Sequence, residues 1–146
     1  MRMEEKIVLI SIMSYYARQI FAGEKKFEFR KSSIREEDIG KSIYVYSAKE
    51  DKAIVGKMVV KKVHKGSLEE ILKISGYDKR KDRGEIERYF ANSKDCYALE
   101  LEDIKSFAKK LTLKEMRSYD PKVNLPQYWA YVKQSNPLYE IIKNLQ

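Results

Sequence analysis

The stretch from Gly23 to Arg30, Gly-Glu-Lys-Lys-Phe-Glu-Phe-Arg, holds the residues best suited to chemistry. Its two phenylalanines alternate with Glu28 and Arg30, and this period of two predicts a β-strand. Because Glu28 and Arg30 are two residues apart, they point to the same side and can pair. Lys25 has the opposite parity, but a twisted strand start after Gly23 would bring it to the mouth of the same cleft.

The same residues also fit a simpler structure. An exposed strand with a polar outer face would place Glu28 and Arg30 in a surface ion pair, which contributes about 0–1 kcal/mol. The residue pattern alone leaves both interpretations open.

The chain has few of the cysteine and histidine residues on which other kinds of catalytic or metal site depend. Cys96 is the only cysteine and His64 the only histidine. An intrachain disulfide is therefore impossible, and a cysteine-based zinc site would lack ligands. A Ser-His-Asp triad could be built only around His64, which we expect to be a solvated surface residue. We predict no metal site and no cofactor.

Composition indicates one basic domain. The chain has 146 residues, with 30 Lys and Arg against 22 Asp and Glu, a formal net charge of +8. This length suits a single domain spanning residues 1–146. No apolar run approaches the roughly 20 residues of a membrane span, and the first residues do not resemble a signal peptide. We therefore expect a cytoplasmic protein that does not contact membranes.

The elements that would position the Gly23–Arg30 stretch follow from periodicity and capping patterns. Ser14 is expected to cap a helix that ends at Gly23, and capping boxes predict helices after Ser67 and Thr112. Strands are predicted at Ile7–Met13, Ile43–Ser47, Ala53–Val63, Cys96–Glu102 and Lys105–Leu111, with a terminal helix over Pro137–Leu145. Gly56 is expected to mark a bulge. Strands outnumber helices without regular alternation, so we predict an α+β fold, a small mixed barrel with peripheral helices.

The chain also resembles the ASCH domain, a member of the PUA-like superfamily, whose pattern Gly-x-Lys-x-x-Glu-x-Arg follows an initial strand and helix. Gly23, Lys25, Glu28 and Arg30 match that pattern in register. The resemblance continues through Ile7–Ile12, Ile43–Ser47, Ala53–Gly56, Thr112–Arg117 and Leu125–Tyr131. It implies a PUA-like mixed or antiparallel pseudobarrel with a basic cleft, in a superfamily whose members bind RNA or modified bases.

The resemblance and the basic charge together predict a partner. We expect single-stranded RNA or a modified nucleoside, held by cations and stacked on aromatic side chains at about 1–3 kcal/mol per base. Duplex DNA is less favoured because no helix has the basic face of a recognition helix. Lys79–Arg83 is either a phosphate-contact patch or a solvated connection. The residues expected at the cleft are Lys25, Glu28, Arg30, Tyr15, Tyr46, Ser47, Gln127, Tyr128 and Trp129, although core packing is an alternative for each aromatic residue.

An enzymatic function is the alternative. Some ASCH proteins are amidohydrolases of acetylated cytidine, and others are linked to RNA cleavage, so the resemblance allows a hydrolase or ribonuclease that uses Lys25 and Glu28. In the amidohydrolases a nucleophilic threonine stands where this chain carries Glu28. Attack by a carboxylate would give a mixed anhydride, which disfavours covalent catalysis. Binding is therefore our main prediction, and a protein-interaction adaptor is a third alternative.

Overall fold

The computed structural model describes residues 5–125 and 128–146. Within these ranges the strands are β1 (Lys6–Met13), β2 (Phe27–Arg30), β3 (Ser42–Ala48), β4 (Ala53–Gly66), β5 (Cys96–Thr112) and β6 (Trp129–Lys133). The helices are α1 (Ser14–Phe21), α2 (Leu68–Ser75), α3 (Arg83–Tyr89), α4 (Leu113–Tyr119) and α5 (Tyr139–Lys143). Short 3₁₀ turns occupy Glu36–Asp38 and Tyr77–Lys79.

The six strands form one mixed sheet in the order β2-β5-β4-β3-β1-β6. β1 and β3 are parallel, and the other neighbouring strands are antiparallel. This arrangement confirms the predicted α+β fold with peripheral helices. The barrel is not closed, because β2 and β6 are the two ends of the sheet. A side chain bridges part of the gap: Arg30 on β2 donates from Nη2 to the carbonyl oxygen of Ser11 on β1, at 2.7 Å.

Bulges bend the two longest strands. The β3–β4 and β4–β5 ladders both change register around Gly56, which confirms the bulge predicted at this glycine. A Cβ at this position would meet the carbonyl oxygen of Lys105 and the ring of Phe21, so only glycine fits without displacing them. The prediction of two strands at 96–102 and 105–111 was wrong. They are one strand, bent near Asp103, whose backbone has φ 49°.

The local sequence predicts the start of α2 and α4 but not that of α1. Both predicted capping boxes are present, at Ser67 and Thr112. Ser14 does not cap α1, contrary to the prediction. It is the first residue of the helix, where its hydroxyl donates to the carbonyl oxygen of Ala48 at 2.8 Å and accepts from the amide of Asp51 at 3.1 Å. These tertiary partners in the β3–β4 connection replace the local cap.

The core lies on both faces of the sheet. Alternate residues of β1 enter different clusters: Leu9 packs in the cluster that includes Met116 and Ile142 of α4 and α5, whereas Ile10 packs in the one that includes Ile20 of α1. A third cluster, which includes Phe29, Leu72 and Phe90, packs β2 with α2 and the end of α3. β1 is thus buried on both sides. None of the helices described here is long and apolar enough to cross a bilayer.

Candidate functional site

Lys25, Glu28 and Arg30 form a buried ionic cluster. Only 2%, 5% and 7% of these residues are exposed, so the exposed-strand interpretation does not fit. Lys25 Nζ lies 2.7 Å from Glu28 Oε1, and Arg30 Nη2 lies 3.0 Å from Glu28 Oε2. Both carboxylate oxygens therefore accept from a cation, and the three side chains carry a net charge of +1.

The chain before β2 explains how Lys25 reaches the cluster. Gly23 has φ 81°, which ends α1, and the amides of Glu24 and Lys25 donate to the carbonyl oxygen of Gln19 at 2.9 and 3.2 Å. Lys25 therefore precedes the strand, which begins at Phe27. Since it is not part of the pleat, strand parity does not decide where its side chain points.

Glu28 is held in its ionised form. Complete burial alone would raise the pKa of the carboxyl group, but the charges and hydrogen bonds of Lys25 and Arg30 outweigh burial and keep the pKa below its usual value. Aromatic rings surround the two cations. Lys25 Nζ lies 5.1 Å from the ring centre of Tyr16, and the Arg30 guanidinium lies 5.8 Å from that of Trp129. The cluster is thus cationic, buried and bordered by aromatic rings.

A cavity of about 560 Å³ opens onto this cluster. β1, β2 and β3 contribute to its wall, α1 and α3 approach from the sides, and Lys49 of the β3–β4 turn, Leu125 and Tyr128 also line it. Burial raises the pKa of Tyr16, Tyr46 and Tyr89, so these phenols are neutral at pH 7. The lining residues are Ser11, Ile12, Met13, Tyr16, Lys25, Glu28, Phe29, Arg30, Tyr46, Ala48, Lys49, Ile86, Tyr89, Leu125 and Tyr128.

The profile of a family described as Domain of unknown function (DUF365) matches residues 6–122, which is most of the chain. The chain belongs to the DUF365 family. The resemblance to ASCH proteins found in the sequence is confirmed at the level of the fold. A comparison with curated proteins found no match.

Solved structures show that this DUF365 protein has the ASCH fold. It is similar to the ASCH protein of Zymomonas mobilis, with a TM-score of 0.80 and 17% identity over 95% of each chain. A tyrosine-to-phenylalanine variant of that protein also gives 0.80 and 17% identity, over 97% of this chain and 100% of that one. A serine-to-alanine variant gives 0.79 and 17% identity, over 95% and 96%.

The structure of the DUF365 chain separates the predicted site residues into two groups. Lys25, Glu28, Arg30, Tyr46 and Tyr128 line the cavity, and Tyr128 is 59% exposed at its edge. The others are Tyr15, Ser47, Trp129 and Gln127.

Tyr15 is exposed and its hydroxyl approaches Glu85 at 3.5 Å. Ser47 is fully buried, and its hydroxyl lies 2.8 Å from that of Ser14. Trp129 contacts Arg30 but does not line the cavity. Gln127 lies outside the described residues. Tyr15 and Ser47 therefore have no direct access to a ligand in this cavity.

Sequence reasoning missed several lining residues. They include Tyr16 on α1, Phe29 on β2, Lys49 in the β3–β4 turn and Tyr89 on α3. Tyr89 and Ile86 come from α3, which is distant in sequence and carries no pattern that indicates a site. The one usable signal was Tyr16, whose position one turn before Ile20 shows only which face of α1 is buried.

Two further predictions concern basic residues outside the cavity. His64 is not a solvated residue, because its side chain is 14% exposed and its Nε2 lies 2.9 Å from Glu100 Oε1. Within the Lys79–Arg83 run, Arg80 pairs with Asp82 at 2.9 Å, and Arg83 pairs with carboxylates of α2 and α3. Across residues 5–125 and 128–146, no three His, Cys, Asp or Glu side chains are grouped to hold a metal ion.

Proposed function

We propose that this DUF365 protein binds one nucleotide unit in the cavity, either an exposed base of single-stranded RNA or a modified nucleoside. The observation that carries the proposal is the combination of a buried, net positive Lys25–Glu28–Arg30 cluster with aromatic side chains around one cavity. The aromatic lining residues are Tyr16, Phe29, Tyr46, Tyr89 and Tyr128. Such rings stack nucleobases, and cations nearby attract phosphate and carbonyl oxygens.

The size of the cavity favours a single unit. Pockets for small molecules typically hold about 300–1,000 Å³, and this cavity measures about 560 Å³. A duplex cannot enter such a space, whereas a base splayed out of a single strand can. Tyr128, exposed at the edge, is placed to stack on the base or on its neighbour in a strand.

The donors in the cavity favour a ligand rich in oxygen acceptors. A lysine ammonium has three N–H donors, and one from Lys25 goes to Glu28 at 2.7 Å. Both carboxylate oxygens of Glu28 already accept hydrogen bonds. The cluster therefore offers a ligand hydrogen-bond donors more readily than acceptors. Carbonyl oxygens of a base or of an acyl group accept hydrogen bonds and suit such a cluster.

The same geometry disfavours hydrolysis. A general base must accept a proton from water or from a ribose hydroxyl, and a carboxylate with a lowered pKa and two cationic partners accepts it poorly. Product analysis is nevertheless part of the test, because a substrate that enters the cavity would reach Lys25 and Glu28 together.

The test is a fluorescence titration with three probes: a short single-stranded oligoribonucleotide, a duplex DNA of matched sequence, and N4-acetylcytidine. Tyr128→Ala removes an exposed lining residue, so the fold is preserved. Tyr119→Ala is the matched control, since Tyr119 is 56% exposed on α4 and does not line the cavity. Loss of one stacked ring is expected to weaken binding about 5- to 150-fold, and the control is expected to bind like the wild type.

Three results would count against the proposal. Duplex DNA could bind as well as the single strand, the two tyrosine variants could bind equally, or none of the three probes could bind.

Chromatography of each mixture after incubation detects cytidine, acetate or shortened RNA. Appearance of these products with wild type, and their absence with Lys25→Met, would replace the binding function with the enzymatic one.

A further inference from the structure

Lys49 differs from the other charged residues that line the cavity. Lys25, Glu28 and Arg30 are buried and pair with one another. Lys49 is exposed, and within the described parts of the chain its ammonium group makes no ion pair or hydrogen bond. It is therefore a cation that is available to a ligand at the mouth of the cavity.

The backbone of Lys49 is fixed although its side chain is exposed. It starts the β3–β4 turn, residues 49–52, with φ 78°, a left-handed conformation that is costly for a residue other than glycine. Two buried serines anchor this turn to α1 and β3. Ser14 accepts from the amide of Asp51 at 3.1 Å, and Ser47 donates to Oδ2 of Asp51 at 2.8 Å.

The far side of the turn is also held. Arg18 of α1 donates from Nη2 to Oδ1 of Asp51 at 2.7 Å. Asp51 is thus contacted by Ser14, Ser47 and Arg18, and the residue two positions before it keeps a fixed place beside the cavity. The turn presents Lys49 at the cavity edge, while the exposed Lys52 of the same turn does not line it.

We propose that Lys49 binds the phosphate group of the ligand, so that the cavity selects phosphorylated nucleotides over neutral nucleosides. This inference rests on the proposed function, because it needs the base to occupy the aromatic part of the cavity. The phosphate then lies at the mouth, where Lys49 supplies the charge and solvent can hydrate the remaining oxygens. The net positive Lys25–Glu28–Arg30 cluster adds to the attraction.

The experiment compares the four ribonucleosides and N4-acetylcytidine, each with its 5′- and 3′-monophosphates, by isothermal titration at low and moderate salt. Wild type is expected to bind at least one monophosphate about tenfold more tightly than its nucleoside, with a preference that falls as salt rises. Lys49→Gln keeps an unbranched polar side chain, one atom shorter, and removes the charge. In that variant the ratio of the two affinities should approach one.

Lys52→Gln is the matched control, since it removes the same charge from the same turn at a residue outside the lining. It should keep the wild-type ratio. Equal affinity of wild type for nucleosides and monophosphates, or an unchanged ratio in Lys49→Gln, would overturn the inference while leaving nucleoside binding intact. Absence of binding by every nucleoside and nucleotide would instead refute the proposed function, and the inference with it.

Discussion

Glu28→Gln is expected to destabilise the protein by about 3–5 kcal/mol, the usual effect of removing one partner from a buried ion pair. Lys25 Nζ lies 2.7 Å from one carboxylate oxygen and Arg30 Nη2 lies 3.0 Å from the other, so an amide NH₂ would face a cation in either orientation. The substitution also leaves two positive charges buried without an anion. At about 2–4 °C per kcal/mol for a domain of this size, the melting temperature should fall by about 6–20 °C.

The assay is urea unfolding followed by circular dichroism and by the fluorescence of Trp129, the single tryptophan. Trp129 is a local probe because its ring lies 5.8 Å from the Arg30 guanidinium. Glu102→Gln is the matched control, since this exposed residue of β5 has the same side chain and should lose no more than about 0.5 kcal/mol.

A second variant separates the loss of charge balance from a general loss of packing. Adding Lys25→Met to Glu28→Gln removes one of the two uncompensated cations. The double variant should therefore be less destabilised than the sum of the two single variants, by about 1–3 kcal/mol. If Glu28→Gln unfolds at the same urea concentration as Glu102→Gln, or if the two effects simply add, the ionic cluster is not the stabilising unit described here.

Two other consequences can be checked by the same method. The pKa of Glu28 is lower in the native state than its unfolded value of about 4.3. Its contribution to stability is therefore complete above the unfolded pKa and is lost as the pH falls through the native pKa. Between pH 6 and 3 the wild type should lose more stability than Glu28→Gln. Gly56→Ala should cost about 1–3 kcal/mol because its Cβ would displace Lys105 or Phe21, whereas Gly84→Ala, which meets only a flexible arginine, should cost nothing. Equal effects of the two glycine substitutions would argue against the close approach at Gly56.

Local sequence signals predicted most of the fold because they depend on residues close in the chain. The capping boxes at Ser67 and Thr112, the glycine exit at Gly23 and the alternation of Phe27–Arg30 all gave elements at the expected places. Ser14 shows where this reasoning fails. A serine before an apolar periodic stretch predicts a cap, but residues 48 and 51 supply better partners that only the folded chain brings near.

The site was predictable only in part, for a related reason. Spacing indicated that Glu28 and Arg30 pair, but it could not show that β1 and the surrounding helices bury the pair. The contribution of α3, through Ile86 and Tyr89, depends on how the third core cluster seats α2 and α3 on β2. Contacts between segments this far apart in the chain cannot be predicted from the residue spacing within α3 or β2.

Arg30 couples the stability of the fold to the cavity. Its guanidinium pairs with Glu28 in the cluster and also donates to the Ser11 carbonyl oxygen, which joins the edge strand β2 to β1 where no ladder closes the barrel. A ligand that drew Arg30 away from Glu28 would weaken that bridge as well. Under the proposed function, a ligand would therefore be bound by groups that have donors or charge to spare, which are Lys25 in the interior and Lys49 at the mouth. Glu28 would then hold Arg30 as part of the fold and leave recognition to the two lysines and the aromatic side chains.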